Sequence, residues 1–371
     1  MKKLLFISNF PRKINNFVIP SIKASEHLGY EFHYAANMKF FKDDAEKYKI
    51  KLHNIDLARF PFNLGNIKAY RQLNKLLCEE RFYAIHCNTP IGGVLGRFCG
   101  KKAKVQKIIY TAHGFHFYEG APLLNNTLLK WSEMLMSHLT DAIITINKED
   151  YKAACNFKLR NTGKVYYIPG VGIDLKDYKK VGNERNKLRS ELGINHDEIV
   201  IISMGDLIAR KNYQTSVKAV HKANSEKIKY LICGDGPEFL KIQKLIQEMC
   251  RENQIKLLGY RNDIKELLSI SDIFLLTSYQ EGLPRSLMEA MSFGLPVICS
   301  EIRGNTDLIE DGKGGYLFRF DDIDGFAGEI NSLSDNYELR ELMGQINLDV
   351  IKEYDIKNVS EQMLKIYSEV L

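Results

Sequence analysis

The sequence predicts an α/β protein built from two doubly wound parallel sheets, and three observations point to this class. Eleven short, near-continuously apolar runs occur along the chain, and longer amphipathic segments separate them. Apolar strands that alternate with helices are typical of parallel sheets covered by helices on both faces. The alternation restarts after a break rich in Gly, Asp and Lys at 169–186, which indicates a second sheet.

Six predicted strands lie in the first half of the chain and five in the second. The first six are KLLFIS (3–8), EFHYAA (31–36), YAIHCN (83–88), KIIYTA (107–112), DAIITI (141–146) and KVYYIP (164–169). The other five are EIVIISMG (198–205), KYLICG (229–234), IKLLG (255–259), DIFLLTS (272–278) and LPVICSE (295–301). Between them, KAYRQLNKLLCEE (68–80) and FLKIQKLIQEMCREN (239–253) have the apolar spacing of amphipathic helices.

This pattern divides the 371 residues into two domains, the number that about 150 residues per domain also suggests. We predict a first domain over 1–172, a linker over 173–186 and a second domain over 187–348. Residues 349–371 contain no strand pattern and predict a C-terminal helix that packs back toward the first domain. Because ligands of doubly wound sheets bind at the carboxyl ends of the strands, the loops that follow the predicted strands are the candidate sites.

Composition excludes several classes of protein. The chain is 45% hydrophobic and 26% charged, which rules out collagen-like, low-complexity and wholly disordered chains. Its seven cysteines are widely spaced and form no C-x-x-C, which argues against a disulfide framework or a zinc cluster and fits a reducing cytosol. The start lacks the apolar core of a signal peptide, and no run of 18 apolar residues occurs. We therefore expect a cytoplasmic protein.

The net charge of +6 conceals two halves of opposite sign. Residues 1–180 hold 29 Lys and Arg against 15 Asp and Glu, a net charge of +14, and the remainder carries −8. A basic half could face an anionic membrane surface, an anionic acceptor or nucleic acid. No helix-turn-helix, zinc-finger or RNA-binding aromatic pattern occurs, which argues against nucleic acid. The densest basic segment, 97–107, could equally be a solvated turn after a helix.

The strongest motif is TSYQEGLPRSLMEAMSFGLPVICS (277–300), in which a strand ends near Ser278 and a helix begins after a short turn. We expect Pro284 at the first helical position. An N–H group there has no acceptor within the helix, so proline loses no hydrogen bond, and its φ is already helical. The unpaired N–H groups of this turn, which includes Gly282 and Leu283, and the helix dipole form an anion site suited to a diphosphate.

Two glutamates of this motif are candidate ligand-binding residues. Glu281 precedes the helix at the mouth of the expected cleft. Glu289 lies eight residues on, in the second turn, where a carboxylate could accept two hydrogen bonds from ribose hydroxyls. Isolated glutamates in such positions are usually surface acids, but their place after an apolar strand favours a functional role.

Two further loops of the second half suit a phosphate-bearing ligand. In GDLIARKN (205–212), Arg210 and Lys211 could reach the phosphates of a ligand from the end of the preceding strand, or they could simply begin a solvent-facing helix. CGDGPE (233–238) has G-x-G without the third glycine of a dinucleotide fingerprint, which argues against NAD. Gly234 would instead allow the backbone to approach a ligand closely.

The 277–300 segment resembles the E-x7-E motif of glycosyltransferase family 4, whose members have the GT-B fold. Six further segments are similar to that family, in order: HCNTPIGGVLGR (86–97), TAHGFHFYEGAP (111–122), IPGVGID (168–174), GDLIARKN (205–212), CGDGPE (233–238) and GYRNDIKELLSISDIFLLTS (259–278). HCNTPIGG and TAHGFHFY resemble more specifically the bacterial branch that builds capsule and exopolysaccharide. The resemblance covers nearly the whole chain and implies two Rossmann-like domains that face each other across a cleft.

The resemblance also implies which residues act on the donor. Lys211 occupies the position at which the sequence pattern of the family has a lysine, whereas Asp206 stands where the family usually has a basic residue. Tyr260 and Arg261 resemble the loop that contacts the nucleotide base, although they could also form a simple surface turn. The catalytic set that we predict is His113, Glu281 and Lys211.

On the acceptor side, the resemblance places His113 beside the transferred sugar, where it would contact hydroxyls or support charge. His116 and Tyr118 are candidates for the acceptor side. Asn16 and Phe17, which follow the first strand, are weaker candidates, and Phe17 could equally be a packing residue. His113 and His116 without a nearby acidic ligand would make a poor zinc site.

The activity that these residues imply is retaining transfer of a hexosyl or N-acetylhexosaminyl group from a nucleotide-sugar, with a UDP-sugar favoured. Family members of this kind act without a bound metal, so we expect no cofactor beyond the nucleotide-sugar. A polyprenyl-diphosphate-linked sugar at the inner face of the membrane is the expected acceptor. Two alternatives stay open: a GT-B enzyme of other chemistry or with a soluble acceptor, and a catalytically silent nucleotide-sugar-binding subunit, which Asp206 favours.

Overall fold

The computed structural model describes residues 1–9, 11, 13–42, 45–58, 63–178 and 184–371. They form two compact units, one comprising Met1–Gly172 with Ile356–Leu371 and the other Ile173–Asp355. Of the segment predicted as a linker, residues 179–183 lie outside the described part, and the described residues on either side belong to the second unit. Each unit contains one parallel sheet, which confirms the predicted class of two doubly wound α/β sheets.

The first unit has seven parallel strands in the order β3-β2-β1-β4-β5-β6-β7. The strands are β1 (Lys3–Ile7), β2 (Glu31–Ala36), β3 (Lys51–Asn54), β4 (Ala84–Asn88), β5 (Lys107–Ala112), β6 (Ala142–Thr145) and β7 (Lys164–Tyr167). Its helices are α1 (Ile19–His27), α2 (Gly65–Glu80), α3 (Pro90–Lys102), α4 (Lys130–Ser137), α5 (Lys148–Ala154) and the C-terminal α14 (Ile356–Val370). A π-helical turn, Asn125–Leu129, leads directly into α4.

The second unit has six parallel strands in the order β10-β9-β8-β11-β12-β13. The strands are β8 (Ile199–Met204), β9 (Ile228–Cys233), β10 (Ile255–Gly259), β11 (Ile273–Leu276), β12 (Val297–Ser300) and β13 (Gly315–Phe318). Its helices are α6 (Glu184–Glu191), α7 (Tyr213–Ala223), α8 (Phe239–Glu248), α9 (Ile264–Ile270), α10 (Arg285–Ser292), α11 (Asn305–Leu308), α12 (Ile323–Asp335) and α13 (Tyr337–Val350).

The two strands that the sequence analysis missed, β3 and β13, are both edge strands. An edge strand pairs on one side only, so its residues are partly exposed and need no continuous apolar run. The β3 sequence KLHN has two exposed and two half-buried residues, whereas the inner β4 is buried throughout. Apolar runs therefore identified every inner strand, and of the four edge strands they identified β7 and β10 but not β3 and β13.

The C-terminal helix α14 packs on α1 and belongs to the first unit. Tyr367 of α14 is fully buried, and its hydroxyl lies 2.6 Å from Nδ1 of His86 on β4. The other ring nitrogen of His86 lies 2.6 Å from the hydroxyl of Thr111 on β5. At Gly172, with φ +79°, a β-carbon would come within 2.9 Å of Ile356, so glycine permits the close approach of α14. Buried polar contacts therefore fix the last helix to the first sheet.

The strand orders define where ligands should bind. In the first sheet the order reverses between β1 and β4, and in the second it reverses between β8 and β11. Connections leave such neighbouring strands in opposite directions, so a crevice opens outside their carboxyl ends. The loops after these four strands are therefore the places where each unit can hold a ligand.

No helix in the part of the chain that the structure describes is long and apolar enough to cross a bilayer.

Burial of His86 predicts a pH dependence of stability. Burial lowers the pKa of His86 to about 3 from its ordinary value of 6.5, so the folded chain excludes a proton that the unfolded chain binds. The free energy of unfolding should therefore be fully retained above about pH 6.5 and fall as the pH drops toward 3. In a His86→Gln variant this decline should be smaller, by about 3 kcal/mol at pH 4.

Urea unfolding followed by circular dichroism at a series of pH values measures this difference. His27→Gln is the matched control, because His27 is exposed at the end of α1. Equal pH slopes for wild type and His86→Gln would show that His86 does not contribute.

Candidate functional site

The loops after β8 and β11 of the second unit are tied together by one buried asparagine. Asn212 has φ +52°, a left-handed conformation that asparagine tolerates, and it precedes α7. Its side-chain amide donates to the carbonyls of Thr277 and Phe320, both at 3.0 Å. The hydroxyl of Thr277 donates back to the carbonyl of Asn212 at 2.9 Å. The residue before Asn212 is thereby held at the carboxyl end of β11.

This linkage brings three of the predicted site residues together. Nζ of Lys211 lies 2.8 Å from Oε1 of Glu281, and a guanidinium nitrogen of Arg210 lies 3.1 Å from Oε2. Arg210 also donates to the carbonyl of Gln280. Glu281 is only 6% exposed, and Nε of the buried Arg303 donates to its backbone carbonyl at 3.2 Å. An ion cluster built on a buried carboxylate therefore lies at the point where the strand order reverses.

The cluster of Lys211, Arg210 and Glu281 carries more positive than negative charge. Burial acts to raise the pKa of Glu281, but the adjacent Lys211 and Arg210 outweigh it, so the net effect lowers the pKa and the carboxylate stays ionised. Two cations share this one carboxylate. Such a surplus of positive charge at a strand end suits a phosphate, to which lysine and arginine form strong charge-assisted hydrogen bonds.

The structure corrects the expected position of Pro284. Helix α10 begins at Arg285, and Pro284 precedes it with an extended backbone, φ −73° and ψ 115°, rather than occupying the first helical position. No side chain caps the start of the helix, so its first N–H groups remain available to a ligand. Gly282 packs against Gly304, where a β-carbon would come within 2.4 Å of the Gly282 carbonyl oxygen. Leu283 packs on the apolar core.

Glu289 lies in the second turn of α10, as the sequence predicts, but it already has two partners. Nε of Arg285 donates to its Oε1 at 2.9 Å, and the hydroxyl of Tyr178 donates to the same oxygen at 3.0 Å. Burial, together with the adjacent Glu289, raises the pKa of Tyr178 to about 12, so the phenol remains a donor. Tyr178 lies outside every motif, and nothing in the sequence singled it out.

The neighbouring loops after β9 and β10 pack closely on the loop after β8. A β-carbon at Gly234 would lie 1.9 Å from the carbonyl oxygen of Gly205, and the N–H of Gly234 donates to the carbonyl of Gly259 at 2.8 Å. Tyr260 follows at once and is 69% exposed. Nε of Arg261 donates to Asp263 at 2.8 Å. Within the described residues, no hydrogen bond or ion pair joins Tyr260 or Arg261 to Glu281.

In the first unit, His113 and Phe17 meet at the carboxyl ends of the strands. Their rings lie 4.4 Å apart, and Nε2 of His113 lies 3.2 Å from Oδ1 of the buried Asn88. Burial lowers the pKa of His113 to about 4, so the imidazole is neutral near pH 7. Because Oδ1 of Asn88 is an acceptor, Nε2 carries the proton and Nδ1 is left to accept a hydrogen bond. Asn16 donates to the carbonyl of Gly172 at 3.2 Å.

A small cavity is lined by Asn16, Phe17, Asn88 and His113. These residues lie at or after the carboxyl ends of three strands, β1, β4 and β5. His116 does not line this cavity; it lines a second, larger cavity of about 280 Å³ with Phe115 and Phe117. The acceptor-side candidates therefore separate into two places.

Two asparagines hold the loop that follows His113. Asn125 donates to the carbonyl of His116 at 2.9 Å, and Asn126 exchanges hydrogen bonds with the backbone of Tyr118.

The sequence analysis missed several residues that position the site. Asn88 and Asn212 lie inside quoted motifs, HCNTPIGGVLGR and GDLIARKN, so a closer analysis of their polar side chains could have found them. Arg303 and Tyr178 reach the site from distant parts of the chain. Neither gives a signal in the sequence, because only folding brings it near Glu281 or Glu289.

Two family models match the chain. "Glycosyl transferase 4-like" matches residues 3–147, and "Glycosyl transferases group 1" matches residues 184–348. EpsD of Bacillus subtilis (strain 168), a protein named as a glycosyltransferase, is 31% identical over 99% of this chain and 96% of its own. The UDP-Gal:alpha-D-GlcNAc-diphosphoundecaprenol alpha-1,3-galactosyltransferase of Escherichia coli is 27% identical over 83% of this chain and 81% of its own.

Solved structures share the fold over the whole chain. Alr3699/HepE of Anabaena, crystallised in complex with UDP and glucose, superposes with a TM-score of 0.81, full coverage of both chains and 20% identity. Sucrose-phosphate synthase of Thermosynechococcus elongatus superposes with a TM-score of 0.81, covering 100% of this chain and 99% of its own, at 17% identity. From the family models, the relatives and this fold, the chain belongs to glycosyltransferase family 4 and has the GT-B fold.

Proposed function

We propose that this glycosyltransferase moves a sugar from a nucleotide-sugar, preferably a UDP-sugar, to a glycan acceptor with retention at the anomeric carbon. One observation carries the proposal: Lys211 and Arg210 share the buried carboxylate of Glu281 where the strand order of the second sheet reverses. The relative from Escherichia coli is named for a UDP-Gal donor, and HepE was crystallised with UDP-glucose, which supports a UDP-sugar.

In this proposal the diphosphate of the donor lies against Lys211, Arg210 and the first N–H groups of α10. Negative charge grows on the leaving diphosphate as the bond to the sugar breaks. Cations and helix N–H groups that are already in place stabilise that charge without reorganising, which is electrostatic catalysis. The surplus positive charge would supply what a divalent cation supplies elsewhere, so we propose that no metal is required.

Glu289 would accept hydrogen bonds from the ribose hydroxyls, with Tyr178 and Arg285 orienting its carboxylate. Tyr260 and Arg261, together with Gly234, would lie along the base and the adjacent phosphate. Gly282 and Leu283 would present backbone N–H groups to the diphosphate.

The role of Glu281 follows from its two cationic partners. A carboxylate held by both Lys211 and Arg210 is a weak nucleophile, because its negative charge is already stabilised. We therefore propose that Glu281 positions the two cations rather than forming a covalent intermediate. Retention would then follow from attack on the same face that the diphosphate leaves.

His113 would act on the transferred sugar as a neutral hydrogen-bonding group. Its pKa of about 4 argues against the charged role that the family resemblance left open. Nδ1 could accept a hydrogen bond from a sugar hydroxyl, while Phe17 packs on the ring and Asn88 fixes its orientation.

For the acceptor we propose a polyprenyl-diphosphate-linked sugar, used in bacterial surface polysaccharide synthesis at the cytoplasmic face of the membrane. Two relatives support this choice by name: the Escherichia coli enzyme acts on a diphosphoundecaprenol-linked sugar, and a Campylobacter jejuni N-acetylgalactosaminyltransferase, 24% identical over 99% of this chain, on a diphospho-undecaprenol-linked one. The transferred group would accordingly be a hexosyl or N-acetylhexosaminyl group.

The test of this function is a mass-spectrometric screen of nucleotide-sugars with a lipid-linked acceptor extract. We expect one UDP-sugar to give a product heavier by one sugar residue, with the configuration of the donor kept at the new bond. Donor binding measured by calorimetry without any product would instead support the silent binding subunit. Asp206, which is exposed at the loop after β8, is the observation that favours that second candidate.

We expect Lys211→Met to weaken UDP binding by about tenfold or more, because it removes a charge-assisted phosphate contact. Uridine, which has no phosphate, should bind the variant and the wild type equally. The affinities are measured by calorimetry in buffer with EDTA. We also expect EDTA to leave the rate of sugar transfer by the wild type unchanged. Lys241→Met, at an exposed lysine of α8, is the control. Unchanged UDP affinity in Lys211→Met would contradict the phosphate site.

Glu289→Gln should weaken UDP and uridine by a similar factor, about tenfold, because both carry the ribose whose hydroxyls it binds. The same substitution should change the affinity for 2′,3′-dideoxyuridine diphosphate little. Glu248→Gln, at the exposed end of α8, is the matched control. If Glu289→Gln left the uridine affinity unchanged, Glu289 would not be the ribose ligand.

His113→Ala should lower kcat by about a hundredfold and leave UDP affinity within twofold, because His113 lies in the first unit and the phosphate site in the second. The pH profile of wild-type kcat should show no step between pH 5.5 and 8, since the pKa of His113 lies near 4. A step in that range that disappears in His113→Ala would mean that the imidazole acts as a proton donor or acceptor.

A further inference from the structure

Large apolar side chains are exposed together on one part of the first unit. Among the described residues, 17 large apolar side chains are exposed. Ten of them lie on α2 or just before it, on α3, or on the segment from Leu123 into α4. We define these ten as the apolar face: Leu64, Ile67, Val94, Phe98, Leu123, Leu124, Leu128, Trp131, Met134 and Leu135. Scattered single apolar residues are normal on a surface, but a group of this size marks an interaction site.

Direct contacts hold the three elements next to one another. The guanidinium of the buried Arg97 on α3 lies 2.8 Å from the carboxylate of Glu133 on α4. Tyr70 of α2 and Phe98 of α3 have their rings 6.2 Å apart. The three elements that carry the exposed side chains are therefore neighbours in the first unit. Leu123, Trp131 and Leu135 are 65–84% exposed, so these side chains are not part of the core.

The part of the chain that carries most of the apolar face is strongly basic. Residues 57–132 contain eleven Lys and Arg against three acids, Glu79, Glu80 and Glu119. Lys101, Lys102 and Lys104 are exposed just after Phe98, and the exposed Lys130 precedes Trp131. The one acid of α4, Glu133, is paired with Arg97. An apolar surface with this surplus of positive charge fits a partner that is itself apolar and anionic.

We propose that the apolar face inserts into an anionic phospholipid bilayer. Its large side chains would enter the boundary between headgroups and acyl chains, and the lysines would contact the headgroup phosphates. A second copy of the chain would bring this surplus of positive charge against the same surplus. The anionic lipid surface supplies the charge that such a dimer lacks.

This docking goes beyond the proposed transfer reaction and does not depend on it. Leu123, the first residue of the face after β5, follows His113 by ten residues in the same unit, so the chain that leaves β5 passes the candidate acceptor residues before it reaches this part of the face. Docking would hold that loop at the level of the lipid headgroups.

The single tryptophan of the chain, Trp131, reports on the proposal because it lies in the face and is 70% exposed. With the full chain and vesicles of phosphatidylglycerol and phosphatidylcholine, we expect its emission to shift to the blue and acrylamide to quench it less. Phosphatidylcholine vesicles alone should have a weaker effect, and added salt should reduce the shift. No change in emission with either vesicle would overturn the proposal.

A double variant tests the side chains themselves. Leu128→Ser with Leu135→Ser keeps the reporter and should reduce cosedimentation with anionic vesicles by about tenfold or more. The matched control, Leu240→Ser with Leu342→Ser, changes two leucines that are 75% and 60% exposed in the second unit and should sediment like the wild type. An equal loss in both double variants would overturn the assignment of the face.

Two further measurements complete the test. One distinguishes a second copy of the chain from a bilayer as the partner of the face, and the other distinguishes membrane docking from donor binding. A blue shift that needs no vesicles, grows with protein concentration and accompanies a dimer by light scattering would mean that the face binds a second copy, which overturns bilayer insertion. Calorimetry should find UDP binding equal in Leu128→Ser/Leu135→Ser and wild type. Loss of vesicle binding with UDP binding retained supports the inference, and vesicle binding in a chain that binds no UDP would refute only the proposed function.

Discussion

The buried carboxylate of Glu281, shared by Lys211 and Arg210, is the interaction on which the account of this enzyme depends. Burial alone would raise the pKa of the Glu281 carboxyl and favour its neutral form, and burial of the Lys211 ammonium without a counter-charge would be costly. Together they form a cluster in which every charge has a partner and one positive charge is left over. That surplus is what a diphosphate can neutralise.

The cluster exists because of the topology of the second sheet. Lys211 follows β8 and Glu281 follows β11, two strands that are adjacent in space and far apart in sequence. Asn212 links the two loops by a hydrogen bond to the carbonyl of Thr277. Arg303, in the loop after β12, donates a hydrogen bond to the backbone carbonyl of Glu281. The first sheet also brings together residues from two neighbouring strand ends, but these residues are uncharged. Asn88 at the end of β4 fixes His113, which follows β5. One rule of parallel sheets therefore places a charged site in one unit and an uncharged one in the other.

Most of the inner fold could be predicted from the sequence, because inner parallel strands must be apolar on both faces. All eleven predicted strands occur, with ends that differ by no more than two residues. Two of the four edge strands, β7 and β10, were also predicted. Of the two that were missed, β3 (KLHN) is partly exposed and has a polar sequence, as one unpaired side allows, whereas β13 (GYLF) is short and apolar. Pro284 was placed one residue too far into α10, since its fixed φ suits the residue before the helix as well as the first residue in it.

The site was predictable only in part, and for a physical reason. Lys211, Arg210 and Glu281 lie in local motifs whose residue types suit phosphate chemistry, so the sequence could indicate them. Their mutual ion pairs, and the contributions of Tyr178 and Arg303, depend on contacts between distant segments. The apolar face was similarly hidden: its leucines look like core residues in the sequence, and only their exposure separates them from a helix that packs inward.

A crystal structure of the chain with UDP bound would show whether the cluster at Glu281 holds the diphosphate. We expect the β-phosphate within roughly 3 Å of Nζ of Lys211 and of the first N–H groups of α10, with the ribose hydroxyls on Glu289. Density for the diphosphate at any other place, with the Lys211–Glu281 pair left undisturbed and away from it, would contradict the account.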